Sequence, residues 1–158
     1  MNLKIKKSNV SKKIFLGILV IFLLIQFYRP EKNISTEPSA NEIELHYNVP
    51  ENVQTILQTS CYDCHSNNTK YPWYNNVQPI ASWLNSHVID GKKHLNFDEF
   101  NAYTLDRKRK KLKEIGETLE ENEMPLPSYT IIHGDAKLSD TDKKMLIDWT
   151  NSLSDGLK

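Results

Sequence analysis

The residues whose types and spacing could do chemistry lie mostly in one pentapeptide, Cys61-Tyr62-Asp63-Cys64-His65. C-x-x-C-H is the attachment signature of a c-type haem. Two thiols can form thioethers with the two vinyl groups of the porphyrin, and the two-residue spacing sets their reach. The adjacent imidazole can lie under the iron as its proximal ligand. Composition alone produces the pattern in about one chain in a thousand of this length. Three other uses of the cysteines compete. A structural disulfide is open to such a pair in an oxidising compartment, but closing so small a loop stabilises little. A thioredoxin-like pair would follow a strand in a βαβ unit, and no strand pattern precedes Cys61. A zinc site needs two further ligands, and no second cysteine pair or paired histidine cluster is present at the usual spacing.

The opposite face of an iron calls for a sixth ligand. The candidates are the remaining histidines, His46, His87, His94 and His133, and the methionines Met1, Met124 and Met145. Met124 is the preferred distal ligand. It lies in Glu123-Met124-Pro125-Leu126-Pro127, where two prolines hold the chain extended, and a thioether raises the haem potential relative to two imidazoles. The alternatives are His94, in Lys92-Lys93-His94-Leu95-Asn96-Phe97, and His87, on a helical pattern. His46 and His133 read as exposed loop histidines, and Met145 as part of an apolar helix face.

Short helices must position these groups. Pro50-Glu51 starts one that runs into Cys61, with Val53, Ile56, Leu57 and Ser60 on one face. Val77–Asp90 reads as a second, ended by Gly91. Asn96 can cap the next, with Glu99 at N3, and Asp98–Glu121 holds one or two helices through Phe100, Tyr103, Leu112, Ile115 and Leu119. Ser139 with Asp142 three residues on forms a capping-box analogue for a last helix carrying Met145, Leu146, Trp149 and Leu153. The run Arg107–Lys111 reads as a solvated face, or as a guide for an acidic redox partner. Tyr71-Pro72-Trp73-Tyr74 reads as a packed aromatic loop or as a lid over a haem edge.

The 20 basic and 20 acidic residues are segregated. Residues 1–30 hold six bases and no acid, so the other 128 carry 14 bases against 20 acids, a net of −6. A domain of that sign is a poor match for nucleic acid, whose affinity comes largely from cations on phosphate. Only five glycines are present, with no phosphate-cradling loop. Ile14–Tyr28 is uncharged, with Gln26 as its one polar side chain, and five lysines precede it. That layout predicts an export signal retained as a membrane anchor, since its flank is bulky where signal peptidase wants small residues. The expected organisation is a cytoplasmic basic segment over 1–13, a transmembrane signal anchor over 14–28, a tether over 29–48 and a haem-binding domain over 49–158. The last would stand on the periplasmic side of the inner membrane.

The chain resembles the bacterial haem-binding domain family, small exported proteins built around one C-x-x-C-H. The resemblance runs from Gln26-Phe27-Tyr28-Arg29-Pro30 to about Trp149. It includes Cys61–Asn67, Thr69–Tyr74, Gly91–Phe97, Glu123-Met124-Pro125 and Leu138-Ser139-Asp140. It implies covalent haem on Cys61 and Cys64 with His65 proximal. The stretch from Met124 to Trp149 is also similar to the end of class I c-type cytochromes, where an axial Met-Pro precedes a final helix packed on the first. The departure is the long insert between the haem motif and Met124. The expected fold is an all-α, cytochrome c-like bundle of short helices around one covalent haem c, with an N-terminal transmembrane helix. The expected function is one-electron transfer to a redox partner protein or a membrane electron-transport component. A haem enzyme or sensor with an open sixth position, and a haem-free membrane module with a Cys61–Cys64 disulfide, are the rivals.

Overall fold

The computed structural model describes residues 7–158, and among these the protein is all-helical. The only β-type pairing among them is an isolated bridge between Ile34 and Asn68. Eight α-helices follow in order: α1 (Lys7–Ile25), α2 (Ile43–His46), α3 (Glu51–Ser60), α4 (Tyr62–His65), α5 (Ile80–His94), α6 (Leu105–Glu120), α7 (Pro127–Thr130) and α8 (Asp140–Gly156). Short 3₁₀ turns lie at Trp73–Asn76, Phe97–Ala102 and Gly134–Ala136. The chain divides into two compact units, Met1–Lys32 with Tyr71–Ser86, and Asn33–Lys70 with His87–Lys158.

In the first unit, α1 is exposed from Val10 to Ile25 and is apolar around its circumference from Ile14 on. It stops where Gln26 meets Gln78. The Gln26 side chain donates to the Gln78 carbonyl at 3.2 Å and accepts from the Gln78 amide at 3.0 Å, while Gln78 Nε2 donates to the Tyr28 carbonyl. The expected transmembrane helix over 14–28 is therefore not what forms. The residues from Ile14 to Ile25 rise about 18 Å at ~1.5 Å per residue, against a hydrocarbon core of ~30 Å. Among the described residues no helix is long and apolar enough to cross a membrane. Part of the expected cytoplasmic segment, residues 1–6, lies outside the described residues.

The second unit holds the core. Val53 and Leu57 of α3, Leu112 and Leu119 of α6, and Leu146 and Trp149 of α8 are buried together with Phe97 and Phe100 of the intervening 3₁₀ turn. The main helix pair is α6 with α8, and α8 also packs on α3. At α8 the expected capping box is present: Ser139 Oγ accepts from the Asp142 amide, and the Asp142 carboxylate accepts from the Ser139 amide. Asn96 caps the Phe97–Ala102 turn by accepting from the Asp98 amide, so its partner is one residue nearer than expected.

Two expectations change here. The segment expected as a tether is folded from Asn33 onward. Its Asn33 side chain donates to the Ser66 carbonyl at 2.9 Å, and Ile43 is fully buried in the core. The helix expected to stop at Gly91 runs on to His94. Gly91 has no positive φ, so it is not a left-handed cap, and its use lies in a close contact described below.

Candidate functional site

The pentapeptide is a single tight turn set on the end of α3. Cys61 closes α3 by donating its amide to the Leu57 carbonyl, and its own carbonyl accepts from the Cys64 and His65 amides at 3.1 and 3.0 Å. That turn is α4. Its two intervening residues, which the motif leaves free, hold it in place. Tyr62 packs its ring on Phe97, centroids 5.3 Å apart, and donates its hydroxyl to Glu44. Asp63 accepts from the Lys70 amide through Oδ1 at 3.0 Å and from the Tyr129 hydroxyl through Oδ2 at 2.7 Å.

Helix α5 backs the turn at unusually short range. A Cβ on Gly91 would lie 2.6 Å from the Cys64 carbonyl oxygen and 3.1 Å from Cys64 Cβ. Only glycine lets the helix approach so closely. One turn further, the Leu95 carbonyl accepts from His65 Nδ1 at 3.0 Å. A carbonyl only accepts, so Nδ1 carries the proton and Nε2 of a neutral ring keeps its lone pair. Burial holds the His65 imidazole below its ordinary range, which keeps it neutral. This is the preparation a metal-binding histidine needs: one nitrogen oriented by a backbone acceptor, the other available.

These groups open onto one cavity of about 420 Å³ in the second unit. That falls in the size class of small-molecule and cofactor sites, ~300–1,000 Å³. Its walls are largely apolar, among them Leu57, Leu95, Phe97, Ile115, Leu119 and Leu146. Cys61, Cys64, His65, Met124, His87 and His94 all line it, so every ligand candidate kept from the sequence reaches the same space. His87 and His94 stand with Gly91 on one face of α5. His46 and His133 lie elsewhere: His46 pairs with the Ala40 carbonyl, and His133 stacks on Tyr129 with centroids 4.3 Å apart.

Met124 reaches the cavity because α6 is stopped sharply. Asn122 takes a left-handed φ of 59°, which Asn tolerates better than most residues. The amides of Glu123 and Met124 then turn back onto the Thr118 carbonyl at 2.9 and 3.3 Å. Met124 itself stays 36% exposed, so it forms part of the cavity's open side.

The thiols are free in the structure. Burial, then the neighbouring Cys64, pushes the Cys61 thiol up to about 12; burial, then Asp63, pushes Cys64 up to about 11. An activated redox dithiol shows the opposite shift, with a nucleophilic cysteine near ~7 in thioredoxin. Nor does a closed zinc site assemble, since among the described residues no three His, Cys, Asp or Glu side chains converge as metal ligands. The donor set fits a haem instead: an apolar cavity, two thiols, one prepared imidazole and one thioether.

The roles of Asp63, Tyr129 and the Tyr62–Glu44 pair were not read from the sequence, which marked Gly91 only as a helix end. Asp63 stands inside the motif, but nothing local marks its partner 66 positions away. The haem-binding domain family matches residues 20–152 of the chain, a range that contains every residue of this cavity. No curated protein and no solved structure matches it.

Proposed function

Because the chain belongs to the haem-binding domain family, we propose that it holds one haem c covalently through Cys61 and Cys64 and serves as a one-electron carrier. His65 and Met124 would hold its iron. The observation that carries this reading is the convergence of Cys61, Cys64, His65 and Met124 on a single apolar cavity. When bound, the haem supplies a ferric/ferrous couple. The protein's own residues bind and orient it, exclude water from its faces and set its potential. The Leu95 carbonyl fixes the ring plane and tautomer of His65. The Tyr129–Asp63 hydrogen bond ties the segment after Met124 to the attachment turn, so Met124 and His65 belong to one framework.

The exposed apolar stretch of α1, Ile14–Ile25, supports attachment to a membrane surface, with the basic residues ahead of it against anionic headgroups and the haem unit on the periplasmic side. That placement suits a protein that exchanges electrons with a membrane chain.

Potentiometric titration of the holoprotein tests the reading. A reversible one-electron wave is expected, with a lower midpoint and loss of the low-spin six-coordinate spectrum in Met124→Ala. A resting spectrum unchanged in that variant would assign the sixth position to another group, or leave it open as in a haem enzyme or gas sensor.

A further inference from the structure

A second concavity, about 400 Å³, adjoins the haem cavity in the same unit, and His94 and Lys111 line both. Its other lining residues are Lys93, Asp106, Arg107 and Lys110. Lys93, Arg107 and Lys110 are exposed. Lys111 is largely covered, its side chain 13% exposed, with Nζ 2.5 Å from Glu114. The Arg107 guanidinium lies over the Tyr103 ring at 4.0 Å, which holds it in a defined place.

Two features set this surface apart. The unit carries 13 basic and 19 acidic residues, so a cationic face is its exception. The charges of α6 also run against its helix dipole. Apart from Asp106 in the first turn, the bases Arg107–Lys111 and Lys113 all precede the acids Glu114, Glu117 and Glu120. Helix stability favours the reverse order. The arrangement works against the helix that carries it and concentrates cations beside the cavity.

We propose that this face docks an acidic redox protein, whose carboxylates pair with Lys93, Arg107 and Lys110 and bring its redox centre to the wall formed by His94 and Lys111. The proposal rests on the electron-transfer reading above. One electron crosses in each encounter: the partner is oxidised as this protein is reduced, or the reverse, and no bond or proton changes hands.

Stopped-flow kinetics on the full-length holoprotein test it with two small probes of opposite charge. Ferricyanide, an anion, oxidises the reduced protein, and hexaammineruthenium(II), a cation, reduces the oxidised one. The ferricyanide rate is expected to fall as salt is added. It should also fall about tenfold in the triple variant Lys93→Glu, Arg107→Glu, Lys110→Glu, in line with the ~10–10³ range of electrostatic steering. The ruthenium rate should not fall in that variant. An equal charge change placed elsewhere, Lys137→Glu, Lys144→Glu, Lys158→Glu, should leave the ferricyanide rate within about twofold of wild type, and the spectrum of each variant reports that its haem site is intact. A ferricyanide rate that rises with salt, or that responds alike to both triple variants, overturns the docking surface alone. If neither probe exchanges an electron, the electron-transfer reading fails and the docking proposal falls with it.

Discussion

Gly91→Ala is a sharp test of how the attachment turn is held. The added Cβ would sit 2.6 Å from the Cys64 carbonyl oxygen, 0.8 Å inside the 3.4 Å at which ordinary van der Waals contact begins. The obstacle is backbone, so no side-chain rotation relieves it. Either α5 or the turn must move, at an overpacking cost of ~1–3 kcal/mol. Against this stands the better helix propensity of alanine, ~1 kcal/mol. Gly116 of α6 is the internal control, because a Cβ there meets nothing within 4 Å. Gly116→Ala should gain ~0.5–1 kcal/mol from propensity alone. Urea unfolding of both variants, followed by far-ultraviolet circular dichroism and haem absorbance, should place Gly91→Ala below Gly116→Ala by ~1–3 kcal/mol. The haem spectrum of Gly91→Ala should also shift, because moving α5 disturbs the Leu95 carbonyl that orients His65. Equal stabilisation by the two alanines, with unchanged spectra, would refute the close-approach argument.

Two other substitutions probe the framework. Tyr129→Phe removes a hydrogen bond to a carboxylate and should cost ~1.5 kcal/mol, measured as a lower urea midpoint with the same slope; a midpoint equal to wild type would deny the Asp63–Tyr129 tie a structural role. Ser139→Ala removes the cap of α8 at a cost of ~1 kcal/mol near neutral pH. The Asp142 carboxyl is held below its usual range, first by the Ser139 hydroxyl, so its contribution is full above the unfolded value of ~3.9 and is lost as the pH falls through the lower folded value. The gap between Ser139→Ala and wild type should therefore shrink in acid, and a gap that widens there would contradict the sign.

What the sequence made legible was local. The Ser139–Asp142 box and the Leu146–Trp149 face sit within one helix, and the helix into Cys61 follows from Pro50 and the Val53–Leu57 spacing. Cys61, Cys64, His65 and Met124 stood out by residue type and spacing, and all four line one cavity. What stayed hidden depends on contacts between distant positions. Gly91 has the residue type of a helix stop, and only its approach to Cys64 shows that it permits packing instead. The end of α1 is set by Gln26 pairing with Gln78, 52 positions on. In the expected tether, Ile43 and Leu45 stand among polar residues without helical spacing, yet Ile43 is fully buried. Asp63 and Tyr129 are ordinary polar residues until the fold brings them together.

The central claim is covalent haem on Cys61 and Cys64, and intact mass under denaturing conditions tests it most directly. Protein matured in a host that exports and attaches haem should carry the mass of one haem through denaturation. The Cys61→Ala, Cys64→Ala double variant should lose that added mass. A wild-type chain at its bare polypeptide mass, or haem that denaturation strips away, would contradict covalent attachment.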